Sequence, residues 1–332
     1  MEIEKLSQEV YNDLVQSYPE KKFPLEQSPN WGEFQSKIPG RQSLGTFLLR
    51  DSDHPVAIIT PLQLTMRGYS YLWLNQGPIW LATPTPELIT AIVKALQTIA
   101  KQYATQKILF VRAHFPSKPP KGLPAYSQAL IQRTTVVDLT QNFDQILAAM
   151  SQGARRAMRK AAKAGVTIKE LPAADVASDF AAYYAILNET AKRDGFFVHP
   201  ASTYQSMLTS LPGIVRFFAA FIQDKPIAWA IDTTYNNHAI YYYGASNVEG
   251  RDLQAPYLLH IEIMRQLQEE GVKSYDFLGI GSKSYPGLQG VTQFKLRFGG
   301  DVVDYLPAYD IPLSPQYHPW KWAQAMKYKL RH

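Results

Sequence analysis

The chain has 332 residues, 46% hydrophobic and 19% charged, which is longer than one core of about 100–200 residues requires and too apolar for a disordered protein. It contains no cysteine, so disulfides, Cys-ligated zinc and a thiol nucleophile are excluded. The net charge of +6 favours RNA, nucleotide-linked substrates or anionic lipid as partners, provided the positive charge clusters. The acidic start, Met-Glu-Ile-Glu-Lys, has no apolar h-region behind it, and no run of about 18 apolar residues follows; a cytoplasmic location is expected.

In chain order, periodicity predicts a helix over 5–18, a short helix from Trp31 to Lys37, and strands at 44–50, 55–65 and 69–75. A helix over 86–102 and strands at 107–113 and 131–138 complete a first set. Helices at 174–194 and 200–210 then precede strands at 214–222, 226–235 and 238–245, a helix over 255–270 and a strand at 273–278. Asp224-Lys225 before Pro226 reads as the hairpin turn, and Pro256 as a residue of a first helical turn. The same order of elements occurs twice, which predicts an α/β protein of two GNAT-like domains related by duplication. The expected boundaries are 1–145, rejoined by 309–332 after Pro312, Pro315 and Pro319, and 146–308.

The densest charge lies in Ser151–Gly165, with Ser151 as N-cap and Gly165 past the C-terminus. At about 100° per residue, Arg155, Arg156, Arg159, Lys160 and Lys163 share one arc, and Ala157, Met158, Ala161 and Ala162 fill the other. That face would meet phosphates or simply be solvated. In Gly290–Gly300, helical spacing puts Phe294 and Phe298 on one side with Lys295 beside them. These are two core rings and a surface charge, or a Lys at the mouth of a cleft. Alternation along Tyr241-Tyr242-Tyr243 predicts Tyr241 and Tyr243 on one face of a strand and Tyr242 on the other, next to a helix N-terminus able to receive an anion. The connection Asn247–Pro256 has one Gly with acids on either side of Gly250-Arg251, a poor cradle for the pyrophosphate of coenzyme A.

Taken in order, several segments resemble the Fem family of peptidoglycan-bridge aminoacyltransferases over nearly the whole chain. They are the Trp31 segment, the Arg112 strand, the basic helix before Gly165-Val-Thr-Ile, Lys192-Arg-Asp-Gly195 before Pro200, Tyr243-Gly-Ala-Ser, Ala255-Pro-Tyr257, Tyr275-Asp-Phe-Leu-Gly-Ile280 and Phe294-Lys-x-x-Phe-Gly299. No long helical-hairpin insertion occurs in the second half. The resemblance implies transfer of an amino acid from aminoacyl-tRNA to the side-chain amine of the diamino acid in a muropeptide, with no metal and no coenzyme. It implies Lys295 as the stabiliser of the tetrahedral intermediate, and Phe294 and Lys295 at the tRNA acceptor end with Arg155, Arg156, Arg159, Lys160 and Lys163 behind them. Trp31, Gln35, Arg112, His199, Tyr204, Tyr243 and Tyr257 would bind substrate.

Three positions depart from the family pattern. Gln35 stands where some members carry a Lys, His199 where they carry an Arg, and His114 where some carry an acid. Both basic residues serve the diphosphate of a UDP-linked precursor, so lipid II is an alternative acceptor; His199 and His114 are substrate ligands or hydrogen-bonded wall residues. The basic aromatic tail, Tyr317 to Arg331, docks on its own domain or touches anionic membrane. A monomer is expected. The rival readings are an acyl-CoA-dependent N-acyltransferase and a non-catalytic RNA- or muropeptide-binding module.

Overall fold

The computed structural model describes residues 1–66, 68–125, 131–281 and 288–329. The loop with Lys283 and Pro286, and the last tail residues Leu330, Arg331 and His332, lie outside the described residues. The chain forms two units, Met1–Leu130 with Leu306–His332, and Ile131–Tyr305.

The first unit runs β1 (Glu2–Leu6), α1 (Gln8–Ser17), α2 (Pro29–Ser36), β2 (Arg41–Ser43), β3 (Thr46–Asp51), β4 (His54–Ile59), β5 (Leu62–Met66), β6 (Tyr69–Leu74), β7 (Ile79–Trp80), α3 (Pro86–Tyr103), β8 (Ile108–His114) and β9 (Leu123–Pro124). The second runs β10 (Arg133–Asp138), α4 (Phe143–Ala149), α5 (Gln152–Lys163), β11 (Thr167–Leu171), α6 (Ala173–Ser178), α7 (Ala181–Asp194), α8 (Ala201–Ser210), β12 (Val215–Ile222), β13 (Lys225–Tyr235), β14 (His238–Ser246), α9 (Val248–Asp252), α10 (Ala255–Glu269), β15 (Ser274–Asp276), α11 (Gln289–Leu296) and β16 (Asp301–Asp304). β17 (Ala308–Pro312) and α12 (Tyr317–Lys329) then close the first unit.

Both units contain a parallel strand pair joined through a helix. In the first, β6 and β8 pair in parallel and α3 bridges them; in the second, β14 and β15 pair in parallel across α10. α3 starts where Thr85 accepts the Leu88 N–H and Pro86 needs no partner, and its stripe of Ile89, Ile92, Val93, Leu96 and Ile99 is buried against the strands. The opposite side of the six-stranded sheet β2-β5-β6-β8-β17-β9 takes Tyr317 and Trp320 of α12 against Tyr71 and Phe110. The second unit is a seven-stranded sheet, β11-β12-β13-β14-β15-β10-β16, with α10 and α5 over the face carrying Phe218, Ala228 and Ala239.

Several expectations shift for identifiable reasons. The 5–18 segment begins as β1, paired with β3, and turns helical only after Ser7 caps α1. The 55–65 strand is two strands in different sheets, separated where Pro61 removes a ladder donor. The 174–194 helix breaks between α6 and α7, where buried Phe180 turns into a ring cluster with Tyr204 and Trp229. The hairpin turn is Gln223-Asp224, both at positive φ, one residue earlier than Asp224-Lys225. Arg133–Asp138, read as the last strand of the first set, pairs with β15 and β16 in the second unit.

Candidate active site

Parallel pairing of β14 with β15 covers only His238–Ile240 against Ser274–Asp276. Beyond Ile240, β14 continues to Ser246 without β15. The chain after β15 keeps its contacts to β10 instead, with Phe277 N–H on Thr135 O and Ile280 N–H on Arg133 O. The strand carbonyls on the open side therefore need donors. Lys295 supplies them: its Nζ lies 2.7 Å from Leu278 O and 2.9 Å from Gly279 O, and 5.8 Å from the centroid of the Tyr241 ring. Gly281 N–H on Thr292 Oγ1 fastens the same stretch to α11. Lys295 is 8% exposed. Burial lowers its pKa to about 8, against the opposing field of Asp276.

An ammonium has three N–H donors. Two of those on Lys295 are used, and the third has no partner among the described residues. Around it, Phe294 packs on Tyr257, His260 and Phe298, and Tyr257 Oη accepts from Arg297. His260 is fully enclosed; burial drops its pKa to about 3, so it stays neutral beside the ammonium.

A β-bulge in β14 overturns the expected tyrosine alternation. The register moves between Ile231 and Asp232, so that Tyr243 faces Ile231 and Tyr241 faces Asp232, leaving Tyr242 as the extra residue. Tyr241 consequently joins His260 and Phe277 on the α10 side, while Tyr243 joins Tyr204 and His199 on the other. Period-two reading has no signal for such an insertion. Gly244 is required beside it, because a Cβ there would run into the Tyr241 phenol.

On that second side, His199 is held through its backbone: its N–H donates to Tyr204 Oη at 3.3 Å, and Tyr184 Oη donates to its carbonyl at 3.1 Å. Tyr204 is buried, which pushes its pKa to about 12, and its ring lies edge-on to Tyr243 at 4.9 Å. His199, Tyr204 and Tyr243 thus form one cluster, with Tyr184 as a member the sequence reading did not name.

The connection from β14 to α10 is occupied by the chain's own acceptors. Glu189 Oε1 takes the Val248 N–H at 2.7 Å, and Asn247 Oδ1 takes the Gly250 N–H at 2.8 Å. Pro256 has no N–H, and the Tyr257 N–H bonds to Gln254 O, so this turn and helix start have little left for a pyrophosphate. The residues do not fit coenzyme A.

Helix α5 lies alongside. Ser151 caps it, Gly165 follows it at φ +83°, and Ala154, Ala157 and Ala161 are buried. Ala162, expected with them, is exposed. Two of the five cations are engaged: Lys160 Nζ donates to Asp252 O at 2.6 Å and Arg155 Nη1 to Ala148 O at 2.8 Å. Arg156, Arg159 and Lys163 are exposed with no protein partner among the described residues.

In the first unit, Trp31 sits in α2 edge-on to Phe34, and buried Gln35 accepts from Arg41 Nη1 at 2.6 Å. Gln35 thereby holds a guanidinium that its own side chain lacks; Arg41 was not singled out because it lies six residues on, in the next strand. Arg112 is buried in a two-pronged pair with Asp310, Nε–Oδ1 2.7 Å and Nη2–Oδ2 2.9 Å, stacked on Tyr71 and Phe110. Tyr317 Oη donates to the same carboxylate. His114 donates from Nδ1 to Leu306 O at 2.7 Å, which leaves Nε2 a buried acceptor with no partner among the described residues. Burial lowers its pKa from 6.5, so the ring is neutral near pH 7.

No group of three or more His, Cys, Asp or Glu able to hold a metal ion occurs among the described residues, and no described helix is long and apolar enough to cross a membrane.

With the fold and this geometry in place, residues 148–296 match the acetyltransferase (GNAT) domain. Solved structures share the architecture across nearly the whole chain. FemX superposes with a TM-score of 0.77 at 17% identity, covering 97% of this chain and 99% of its own. A tandem GNAT protein from the clavulanic acid biosynthesis pathway gives 0.56 at 13% identity, covering 95% and 99%. L-PGS from Bacillus licheniformis gives 0.51 at 10% identity, covering 93% of each chain. No curated protein matches the sequence. The fold is two GNAT-like domains in tandem, and the class is an acyl-transferring enzyme.

Proposed function

We propose that the protein transfers an amino acid from aminoacyl-tRNA to the side-chain amine of the diamino acid in a peptidoglycan precursor stem peptide. The observation that carries this reading is the buried Lys295 ammonium, fixed by two carbonyls and with its third N–H unpartnered among the described residues. The attacking amine adds to the ester carbonyl of the donor, and a negative charge develops on the carbonyl oxygen. Lys295 meets that oxygen with its third N–H, already oriented and shielded from water. Collapse of the intermediate breaks the ester C–O bond; the ribose oxygen leaves with a proton that originated on the amine, and an amide remains.

The choice of donor is supported by where phosphate can be received. The turn in which a GNAT domain would hold coenzyme A is capped by Glu189 and Asn247, whereas α5 keeps Arg156, Arg159 and Lys163 available for an RNA backbone. The fold shared with FemX supports the Fem-type reading that the sequence motifs suggest. Trp31, Gln35 with Arg41, His199, Tyr204, Tyr243 and Tyr257 are the proposed acceptor contacts, and Phe294 meets the acceptor end of the tRNA. Arg112, through its pair with Asp310, holds β8 to β17.

The test is incubation of purified protein with a mixture of radiolabelled aminoacyl-tRNAs and, separately, a UDP-linked and a lipid-linked muropeptide. Label entering either peptide as a new amide supports the reading; label entering neither removes it. The GNAT match favours one alternative, an acyl-CoA-dependent N-acyltransferase, and heat on titration with coenzyme A would revive it.

A further inference from the structure

Asp276 ends β15 and is 2% exposed. Its Oδ1 accepts the Leu278 N–H at 2.8 Å, two residues on, closing a turn of the kind that short acidic side chains make with their own backbone. That turn puts Leu278 at φ +54°, a left-handed conformation that a branched aliphatic residue rarely adopts. Its consequence is to aim Leu278 O and Gly279 O together at Lys295 Nζ. Asp276 is itself fixed from two further strands: Thr134 of β10 donates to Oδ1, and Tyr305, just after β16, donates to Oδ2 at 3.3 Å.

Among the other titratable groups around the ammonium, Tyr241 lies on β14, His260 on α10 and Arg297 at the C-cap of α11. Asp232 lies behind, hydrogen-bonded to Tyr275, whose hydroxyl also meets His260. Asp276 is the carboxylate whose field acts on Lys295 against the burial that would discharge it.

We infer that Asp276 is the positioning residue of this site, folding the turn whose two carbonyls hold the Lys295 ammonium. Its consequence for turnover rests on the proposed function; its effect on Lys295 does not.

The experiment is a pH titration of protein labelled with 13Cε-lysine, followed by NMR, with the Lys295 signal assigned by its loss in Lys295→Met. In the wild type the midpoint is expected near 8. In Asp276→Asn, which keeps an oxygen for the turn and removes the charge, it should fall by about one unit. An unmoved midpoint in a folded variant overturns the inference, whether or not any substrate is ever turned over. If transfer activity is found, the alkaline limb of its rate must move by the same amount. Should Asp276→Asn fold poorly, the double variant with Lys295→Met decides: recovery of stability relative to the sum of the two single losses supports the pairing, and full additivity contradicts it.

Discussion

Glu189 Oε1 accepts the Val248 N–H at 2.7 Å, so an acid from α7 sits where the turn after β14 would otherwise present a donor to an anion. Removing it tests whether that contact holds the turn. Glu189→Ala should cost about 1 kcal/mol in urea denaturation, the usual worth of such a bond. The wild type should give no heat with coenzyme A by calorimetry.

The five cations of α5 should separate into two groups. Replacing Arg156, Arg159 and Lys163 together by Gln should weaken tRNA binding and reduce the slope of log affinity against log salt by about 2 to 3, with thermal stability kept. Lys160→Gln should lower stability, because its ammonium clamps Asp252 O. Filter binding between low and moderate salt, with a melting curve for each variant, checks both.

Arg112 and Asp310 form a buried pair whose rupture leaves a bare charge in a dry site. Arg112→Gln should cost about 3–5 kcal/mol of unfolding free energy, read by chemical denaturation. A loss confined to substrate affinity would return Arg112 to the role of a ligand.

How far the sequence revealed all this depends on the kind of signal. The two sets of elements and the capped basic helix were legible because apolar periodicity and capping residues are local: Thr85 with Pro86, and Ser151 with Gly165, act within one helical turn. Strand partners were not, since pairing is long-range; Arg133–Asp138 reads as a strand from its own residues but joins β15 and β16 only in three dimensions. The bulge at Tyr242 reversed the face of Tyr243 without any change in residue type. Lys295 could be named from the resemblance, but its carbonyl pair, and Asp276 behind it, required the turn at Leu278 to be seen.

Asp232 is enclosed on β13, and burial raises its pKa from 3.8 to about 8. A carboxyl whose folded pKa is raised binds its proton more tightly in the folded state, so its stabilising contribution is complete below about 4 and is lost as pH rises toward 8. Asp232→Asn keeps a polar group for Tyr275 and cannot ionise. The variant should therefore gain on the wild type as pH rises from 4 to 9, measured as the difference in denaturation midpoints. A difference independent of pH would show that Asp232 is ionised in the folded protein.

The proposed role of the Lys295 ammonium is to stabilise the charge formed in acyl transfer. Its most direct test is the single-turnover rate of amide formation from aminoacyl-tRNA, with both substrates saturating, in the wild type and in Lys295→Met. Lys295→Met should be slower by about 10²–10³, the effect of deleting one preorganised donor from an oxyanion site. A variant that turns over at the wild-type rate would contradict that role.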